Sequence, residues 1–388
     1  MIKRTLYKIA LVFSATLLIG TSCTKKVKPI SEFMMGVDLS YVNQVEDHGG
    51  VYKENGKPVD CFELFRDKGA NIVRLRIWNN PDWTYDVYGK DTPLYSGLND
   101  IKKSIKRAKD LGMAVNLDFH YSDVWADPSH QKAPKAWENI EDINILCDSL
   151  YNYTYGVLSS LKKDDLLPEM VQIGNETNCG MMITETQDSF PKLSVCDENW
   201  ENFGKVLNAG IKAVRNIDAE GGIKTIIALH VADPINLDWW FKGIINKANV
   251  TDFDVAGFSY YPHWHKDISF NDLPAVVNKL KNEINKDIVV LETGYPYTSE
   301  QGDDYKNIFG EDSMIEGYPV SIEGQKKFLT DLTNNMIQAG AKGVMYWEPA
   351  WISSDMKDLW GHGSAWENTT LFDYDGNATD AINYLSIE

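Results

Sequence analysis

The sequence predicts a single-domain (β/α)8 barrel with long loops after its strands, and three observations predict this fold. The chain has 388 residues, enough for one large α/β barrel. Eight short apolar runs recur along it, separated by stretches with helical periodicity, as in βα units around a parallel sheet. The alternative, a doubly wound sheet, would carry a glycine fingerprint after its first strand, and none is found there. Because no Pro- or Ser-rich linker interrupts the pattern, a second domain is not expected.

The predicted strands alternate with amphipathic segments from residue 35 onward. The segment 101–111, for example, places Ile101, Ile105, Ala108 and Leu111 on one helical face. The eight strands are expected at residues 35–40, 72–78, 114–119, 170–174, 225–229, 255–260, 288–291 and 344–347.

The N-terminus has the features of an export signal. Three basic residues precede an apolar stretch at 9–20, which is too short to span a bilayer. Small residues then lead into Cys23, a pattern that resembles the lipobox of bacterial lipoproteins. We therefore expect a signal peptide at 1–22, lipidation of Cys23 and a short tether at 23–33, with the barrel domain at 34–388. An ordinary secretory signal that happens to contain a cysteine is the alternative.

Composition restricts the partners of the mature chain. Removal of residues 1–22 takes away three basic and no acidic side chains, which moves the formal net charge from -18 to -21. Such an acidic protein is a poor ligand for nucleic acid. The 12 Trp and 19 Tyr residues are a weak indication of carbohydrate binding, since sugar rings stack on aromatic side chains. Contact with a membrane is expected through the lipid alone.

Four cysteines remain after Cys23, and outside the cytosol they could pair. Their connectivity cannot be read from sequence, and no Cys/His spacing indicates zinc. The four are Cys61, Cys147, Cys179 and Cys196.

Polar or aromatic residues follow nearly every predicted strand. Since barrel active sites lie where the carboxyl ends of the strands converge, these residues are expected to share one site. A lone strand-end histidine or arginine is more often structural, but eight such ends together are hard to explain that way. The residues are Asp38, Arg74, Arg76, His120, Asp123, Trp125, Asn175, Glu176, His230, Tyr260, Tyr261, His263, Glu292, Trp347 and Glu348.

Two of these residues, Glu176 and Glu292, end the fourth and seventh strands. A pair of carboxylates from distant strands is typical of a glycosidase, although two unrelated ion pairs would look similar. The arrangement, with Asn175 before the first glutamate, resembles the large superfamily of retaining glycosidases. That resemblance implies Glu176 as the acid/base and Glu292 as the nucleophile. Their carboxyl groups should lie about 5–5.5 Å apart. Arg74 or Arg76, and Tyr260, are candidates to keep Glu292 ionised.

Longer motifs identify the chain as similar to glycoside hydrolase family 53. They are VRLRIW at 73–78, LDFHYSDVWADP at 117–128, QIGNE at 172–176, SYYP at 259–262, ETGYP at 292–296 and YWEPAW at 346–351. The family implies an endo-β-1,4-galactanase acting on galactan of type I arabinogalactan and pectin side chains, with no cofactor for catalysis. By position, the resemblance implies substrate contacts at Arg74, Arg76, His120, Asp123, Trp125, Asn175, His230, Tyr260, His263 and Trp347, with Trp347 as the platform beneath the cleaved sugar.

A late motif at 363–368 resembles the calcium-binding segment of bacterial family members. There the ion pins the loop after the seventh strand to the loop after the eighth. Tyr305 and Phe309 fall where side-chain ligands would be expected, so a solvated acidic loop is the alternative. The implied ligands of a structural Ca²⁺ are Asp303, Asp304, Asn307, Ser364 and Glu367.

Two other functions remain open on sequence grounds. A related barrel glycosidase could act on a β-1,4-mannan, xylan or glucan, because strand-end motifs define the reaction better than loops define the sugar. A non-catalytic glycan-binding lipoprotein is the second alternative. The presence of both glutamates in their motifs counts against it, because a protein that only binds glycans need not keep both. We expect a monomer anchored in the envelope of a Gram-negative bacterium. The cell surface is favoured over a periplasm-facing position, because an endo-acting enzyme is most useful where intact polymer arrives.

Overall fold

Eight parallel strands close into a barrel in the computed structural model, which describes residues 30, 32–221 and 224–386. The predicted signal peptide and Cys23 lie outside the described residues. Every predicted strand is found, with ends that differ by at most two residues. In barrel order the strands are β1 (Met34–Asp38), β4 (Ile72–Ile77), β5 (Ala114–Phe119), β6 (Met170–Ile173), β7 (Ile226–Val231), β8 (Val255–Tyr260), β9 (Asp287–Thr293) and β10 (Gly343–Tyr346). A small hairpin, β2 (Lys53–Glu54) and β3 (Lys57–Pro58), precedes the second barrel strand.

Helices follow the strands and cover the barrel, as the alternating pattern predicts. They are α1 (Val42–Asp47), α2 (Cys61–Lys68), α3 (Trp83–Tyr88), α4 (Leu98–Asp110), α5 (Ile143–Lys163), α6 (Trp200–Ala219), α7 (Leu237–Asn246), α8 (Leu273–Ile284) and α9 (Ile322–Gln338). The single-domain (β/α)8 prediction is therefore confirmed. No helix in the described ranges has the length and apolarity needed to cross a lipid bilayer.

Alternation along the strands divides the barrel interior into two layers. At the amino ends of the strands, inward residues such as Ile72, Met170 and Val255 form an apolar cluster. One pleat further along, Arg74 and Gln172 point into the same interior and are hydrogen-bonded to each other. Because successive inward residues are two positions apart, the apolar layer forms the floor on which the polar layer rests.

The long loops at the carboxyl ends of the strands are tied to one another. One disulfide joins Cys179 to Cys196 within the loop after β6, which leaves Cys61 and Cys147 as free thiols. The pairing that the sequence left open is thus assigned. The disulfide closes the segment that directly follows Glu176 and limits its motion.

Candidate active site

The two glutamates meet at the carboxyl end of the barrel. Glu176 follows the fourth barrel strand, β6, and Glu292 lies near the end of the seventh, β9. Carboxylate oxygens of the two side chains lie within 4.8 Å of each other. Both residues are largely buried, with exposed fractions of 8% and 6%. The structure thus brings together the two carboxylates that the sequence analysis placed at the ends of these strands.

A β-bulge aims Glu292 at the site. Phe258 pairs with Val290, but the next residue of β8, Ser259, pairs with Glu292, so β9 carries one extra residue. Leu291 packs in the apolar floor of the barrel, and strict alternation would therefore turn Glu292 outward. The bulge places two successive side chains, Leu291 and Glu292, on the inner side.

Glu292 is held by a cation and a hydroxyl. Arg74 Nη1 lies 2.9 Å from Glu292 Oε1, and the Tyr261 hydroxyl donates to Glu292 Oε2 at 2.9 Å. The same guanidinium contacts Asp38 and Asp118 at 2.9 and 2.7 Å. One arginine therefore fixes three buried carboxylates, of which Glu292 is the one that reaches the cleft.

Glu176 has a different environment. Its Oε1 accepts a hydrogen bond from the Ser259 hydroxyl at 2.5 Å. Its backbone is left-handed, with φ 48°, directly beyond Gly174 at φ 86° and Asn175. Left-handed backbone at a non-glycine residue costs free energy and persists where surrounding contacts hold it, as here, where it turns the carboxylate into the cleft.

The pKa values of the pair are both raised, for related reasons. Burial and then the charge of Glu292 raise the pKa of Glu176 well above its ordinary value. Burial raises the pKa of Glu292 to about 7, while Arg74 opposes this shift. The charge of Glu292 thus favours the protonated form of Glu176, whereas the Arg74 cation favours the ionised form of Glu292.

An aromatic cleft of about 320 Å³ opens above the two glutamates. The Trp347 ring lies between those of Trp125 and Trp366, at centroid distances of 5.5 and 4.8 Å. Such rings offer flat apolar faces to a sugar. The other side chains that line the cleft include Tyr261, Trp264, Tyr305, Trp351, Asp358 and Trp360.

The structure places the predicted contact residues in three groups. Trp125, Asn175 and Trp347 line the cleft with the glutamates. Beneath them, four side chains with exposed fractions of 0 to 2% form the polar layer, and these are Arg74, Arg76, His120 and His230. Arg74 links the groups, since its Nη2 donates to Asn175 Oδ1 at 2.7 Å. Arg76 pairs with Glu348 and not with Glu292.

The remaining three predicted contacts do not line the cleft. The prediction that Tyr260 holds Glu292 was wrong. Ser259 points inward, so alternation along the strand turns Tyr260 outward, where its ring packs against Phe270. Asp123 accepts from the backbone N–H groups of Asn80 and Lys135, at 2.9 and 2.8 Å, and so shapes its own loop. His263 packs its ring 5.3 Å from that of Phe309.

Sequence reasoning missed Ser259 and Gln172 as site residues, and it named Tyr261 as a strand-end residue without a contact to Glu292. Tyr261 and Ser259 lie in the quoted SYYP motif, and strict alternation from Val255 would have placed Ser259 inward. Trp351, Trp366 and Trp360 come from the loop after β10, whose path cannot be read from periodicity.

The residues predicted to bind calcium do bring the two loops together. Glu367 Oε1, however, accepts from the backbone N–H groups of Gly302 and Asp303, at 2.5 and 3.2 Å. Asp303 Oδ2 accepts from the N–H of Ser364 at 2.8 Å, and the Asn307 side-chain amide also donates to Glu367. Asp304 is exposed. Hydrogen bonds from N–H groups to these carboxylates therefore join the two loops, while Asn307 Oδ1 is buried without a hydrogen-bond partner in the described part of the chain. Calcium at this site stays a prediction.

Within the described ranges, Glu176, His230 and Glu292 have the spacing of a three-ligand metal site. Both nitrogens of His230 already have hydrogen-bond partners, Nδ1 at Gln172 and Nε2 at Ser259. Acid–base chemistry accounts for this cluster without a metal.

A (β/α)8 barrel with two facing glutamates, an adjacent asparagine and an aromatic cleft defines a barrel glycosidase. The family model described as glycosyl hydrolase family 53 matches residues 34–385. The chain belongs to that family, and it is a glycoside hydrolase.

Relatives and solved structures agree. An arabinogalactan endo-beta-1,4-galactanase of Cellvibrio japonicus is 42% identical over 360 residues, 93% of this chain and 92% of that protein. An endo-beta-1,4-galactanase of Bacillus subtilis is 35% identical, over 90% of this chain and 80% of that one. The solved GH53 catalytic domain of Ignisphaera aggregans has a TM-score of 0.81 and 34% identity, covering 93% of this chain and 98% of that one.

Proposed function

We propose that the protein is a retaining endo-β-1,4-galactanase that cleaves the galactan of type I arabinogalactan and pectin side chains. The observation that carries the mechanism is the short separation of Glu176 and Glu292, within 4.8 Å between carboxylate oxygens. Inverting enzymes separate their carboxyl groups by roughly 6.5–9.5 Å to admit a water molecule, and retaining enzymes by about 5–5.5 Å.

In the first step, Glu292 attacks the anomeric carbon of the bound sugar while Glu176 gives its proton to the departing glycosidic oxygen. The C–O bond of the linkage breaks, and a covalent bond between sugar and Glu292 forms. Arg74 and the Tyr261 hydroxyl keep Glu292 ionised and oriented before attack.

In the second step, Glu176, now a carboxylate, takes a proton from water, whose oxygen attacks the same carbon. The bond to Glu292 breaks, and the sugar leaves with its original configuration. Asn175, which accepts from Arg74 and donates to the Ala126 carbonyl at 2.6 Å, is the residue that we expect to bind the sugar 2-hydroxyl.

The preference for galactan rests on the relatives, two of which carry that activity in their names. The cleft supports an endo-acting enzyme, because several tryptophans besides Trp347 line it together with the two glutamates, including Trp264 and Trp360. Both of these rings are about half exposed, at 52 and 53%. The reaction requires no cofactor, and calcium takes no part in it.

The lipid anchor at Cys23, the monomeric state and display on the cell surface belong to the same proposal. They are supported by the lipobox-like sequence and by the size of the substrate, since a long polymer has to be cut before it can enter the cell. Washed intact cells are accordingly expected to release the same products as the purified protein.

The test is digestion of purified polysaccharides, with products followed by chromatography and the first-formed anomer by NMR. We expect short β-1,4-galacto-oligosaccharides of retained β-configuration from galactan, with mannan, xylan and cellulose intact. Glu292→Ala should lower the activity by about 10⁴-fold or more. Azide should restore turnover and give a product of inverted configuration, because the small anion occupies the space of the missing carboxylate.

The matched control is Glu169→Ala. This variant removes a carboxylate that lies 2.6 Å from the Lys109 ammonium group and does not line the cleft. It should retain activity. Products from another polymer alone would overturn the galactan assignment, and no products from any polymer would favour a glycan-binding protein. An inverted product from the unaltered enzyme would overturn the retaining mechanism.

A further inference from the structure

A chain of hydrogen bonds leads from the acid/base residue into the barrel. Ser259 Oγ lies 2.5 Å from Glu176 Oε1 and 3.0 Å from His230 Nε2. His230 Nδ1 lies 3.0 Å from the Gln172 amide nitrogen and 3.3 Å from the backbone nitrogen of Glu176. Ser259 and His230 have no exposed surface, so water does not compete for these groups.

The donors around His230 define its tautomer. Two N–H groups, one of them the fixed backbone N–H of Glu176, point at Nδ1, which therefore accepts. Asn175 Oδ1 also lies 3.0 Å from Nδ1, but it already accepts from Arg74. Burial, and then the charge of Arg74, lowers the pKa of His230 well below its ordinary value, so the ring is neutral. Its one proton is then on Nε2 and is donated to Ser259 Oγ.

The direction of the serine hydroxyl follows from this tautomer. Because Ser259 Oγ accepts from His230, its single proton is free to be donated only to Glu176 Oε1. An oxygen that accepts such a bond is a poor position for the acidic proton of the carboxyl group. That proton is therefore carried by Oε2.

We infer that Ser259, oriented by His230, is a positioning residue that directs the catalytic proton of Glu176 to Oε2. This inference rests on the proposed role of Glu176. During the first step the proton leaves Oε2 for the glycosidic oxygen, and the Ser259 hydrogen bond stays on Oε1 and stabilises the carboxylate that forms. Ser259 keeps its own proton throughout.

The hydrogen bond also affects when Glu176 ionises. The charged groups that face Glu176 are Glu292 and Asp127, which raise its pKa, and Arg74, which lowers it together with the Ser259 hydroxyl. The Tyr261 hydroxyl donates to Glu292. Removing the hydroxyl takes away a group that favours the carboxylate, so the pKa of Glu176 should rise.

The experiment measures kcat/KM against pH for Ser259→Ala on two substrates, galactan and a 2,4-dinitrophenyl β-1,4-galactobioside. With galactan, the alkaline limb should move upward by about one pH unit and kcat/KM should fall by at least about tenfold. With the aryl glycoside, whose leaving group needs no proton, kcat/KM should stay near that of the unaltered enzyme.

Two further variants keep the test decisive. Ser104→Ala removes an equally buried hydroxyl, bonded to Asn43 and remote from the cleft, and should not move the pH profile. Ser259→Cys preserves side-chain volume with a weak donor and should give an intermediate shift. An unmoved alkaline limb, or equal losses on both substrates, would reduce Ser259 to a packing role. Failure of the unaltered enzyme on galactan, or an inverted product, would instead refute the proposed function itself.

Discussion

Two arginines of one strand, Arg74 and Arg76, each pair with a buried glutamate, but only the pair of Arg74 belongs to the proposed reaction. Arg74 is fully engaged by carboxylates and amides, and its partner Glu292 reaches the cleft. Arg76 Nη1 pairs with Glu348, which has no exposed surface. The Nε and Nη2 atoms of Arg76 have no hydrogen-bond acceptor in the part of the chain that the structure describes.

Aromatic faces take the place of acceptors around Arg76. The guanidinium lies 4.0 Å from the centre of the Tyr41 ring, 4.3 Å from Trp125 and 5.0 Å from Trp78. Trp125 in turn lines the cleft. The same type of ion pair, arginine with buried glutamate, therefore has two uses in this molecule. Where the carboxylate reaches the cleft, the pair belongs to the proposed reaction, and where the carboxylate is enclosed, the pair supports the wall of the cleft.

The largest expected effect follows from removing the first pair. Arg74→Leu leaves Asp38, Asp118 and Glu292 without their shared cation, so we expect a loss of about 3–5 kcal/mol of stability. Activity should fall by about 10³-fold or more in the protein that still folds, since Glu292 loses its ion pair. Denaturant unfolding and galactan hydrolysis measure the two effects.

Arg74→Lys is the matched control, because it restores the charge without the planar fork that reaches several acceptors at once. It should recover part of the stability and less of the activity. Activity within tenfold of the original in Arg74→Leu would contradict the role assigned to this pair.

The sequence allowed the barrel and both glutamates to be predicted because these features are local. Apolar runs of strand length and the residues that follow them can be read from neighbouring positions. The bulge at Leu291 could not be predicted, since it depends on the register between β8 and β9. The exchange of Tyr260 for Tyr261, by contrast, follows from alternation along β8 and could have been read from the sequence. The disulfide and the hydrogen bonds of Glu367 depend on how distant loops meet, which no local pattern reveals.

Glu348→Gln is expected to have a smaller effect, and one that depends on pH. Burial raises the pKa of Glu348 to about 8, against an ordinary value of 4.5, while Arg76 opposes the shift. A carboxyl group with a raised pKa in the folded state contributes stability that is complete below its unfolded value and lost as pH rises through the folded value. Its contribution should therefore disappear between about pH 4.5 and pH 8.

Thermal unfolding across this pH range measures the difference. The original protein should lose more stability on going from pH 5 to 8 than Glu348→Gln, because glutamine does not titrate. Glu176 and Glu292 titrate in both proteins, so the difference isolates Glu348. Galactanase activity per folded molecule should change by only a few-fold, and parallel stability curves would contradict the assignment.

Arg76→Lys should have the smallest effect and the most specific one. Lysine can keep the ion pair with Glu348 but cannot stack a planar cation against Tyr41 and Trp125. Loss of a cation–π contact worth about 0.5–1 kcal/mol should raise KM for galactan by about threefold and leave kcat unchanged. An equal fall in kcat would mean that Arg76 acts on the reacting groups, and the distinction between the two arginines would then be lost. An unchanged KM would show that Trp125 is held by its neighbouring rings, Tyr41, Trp78 and Trp347, without help from the cation.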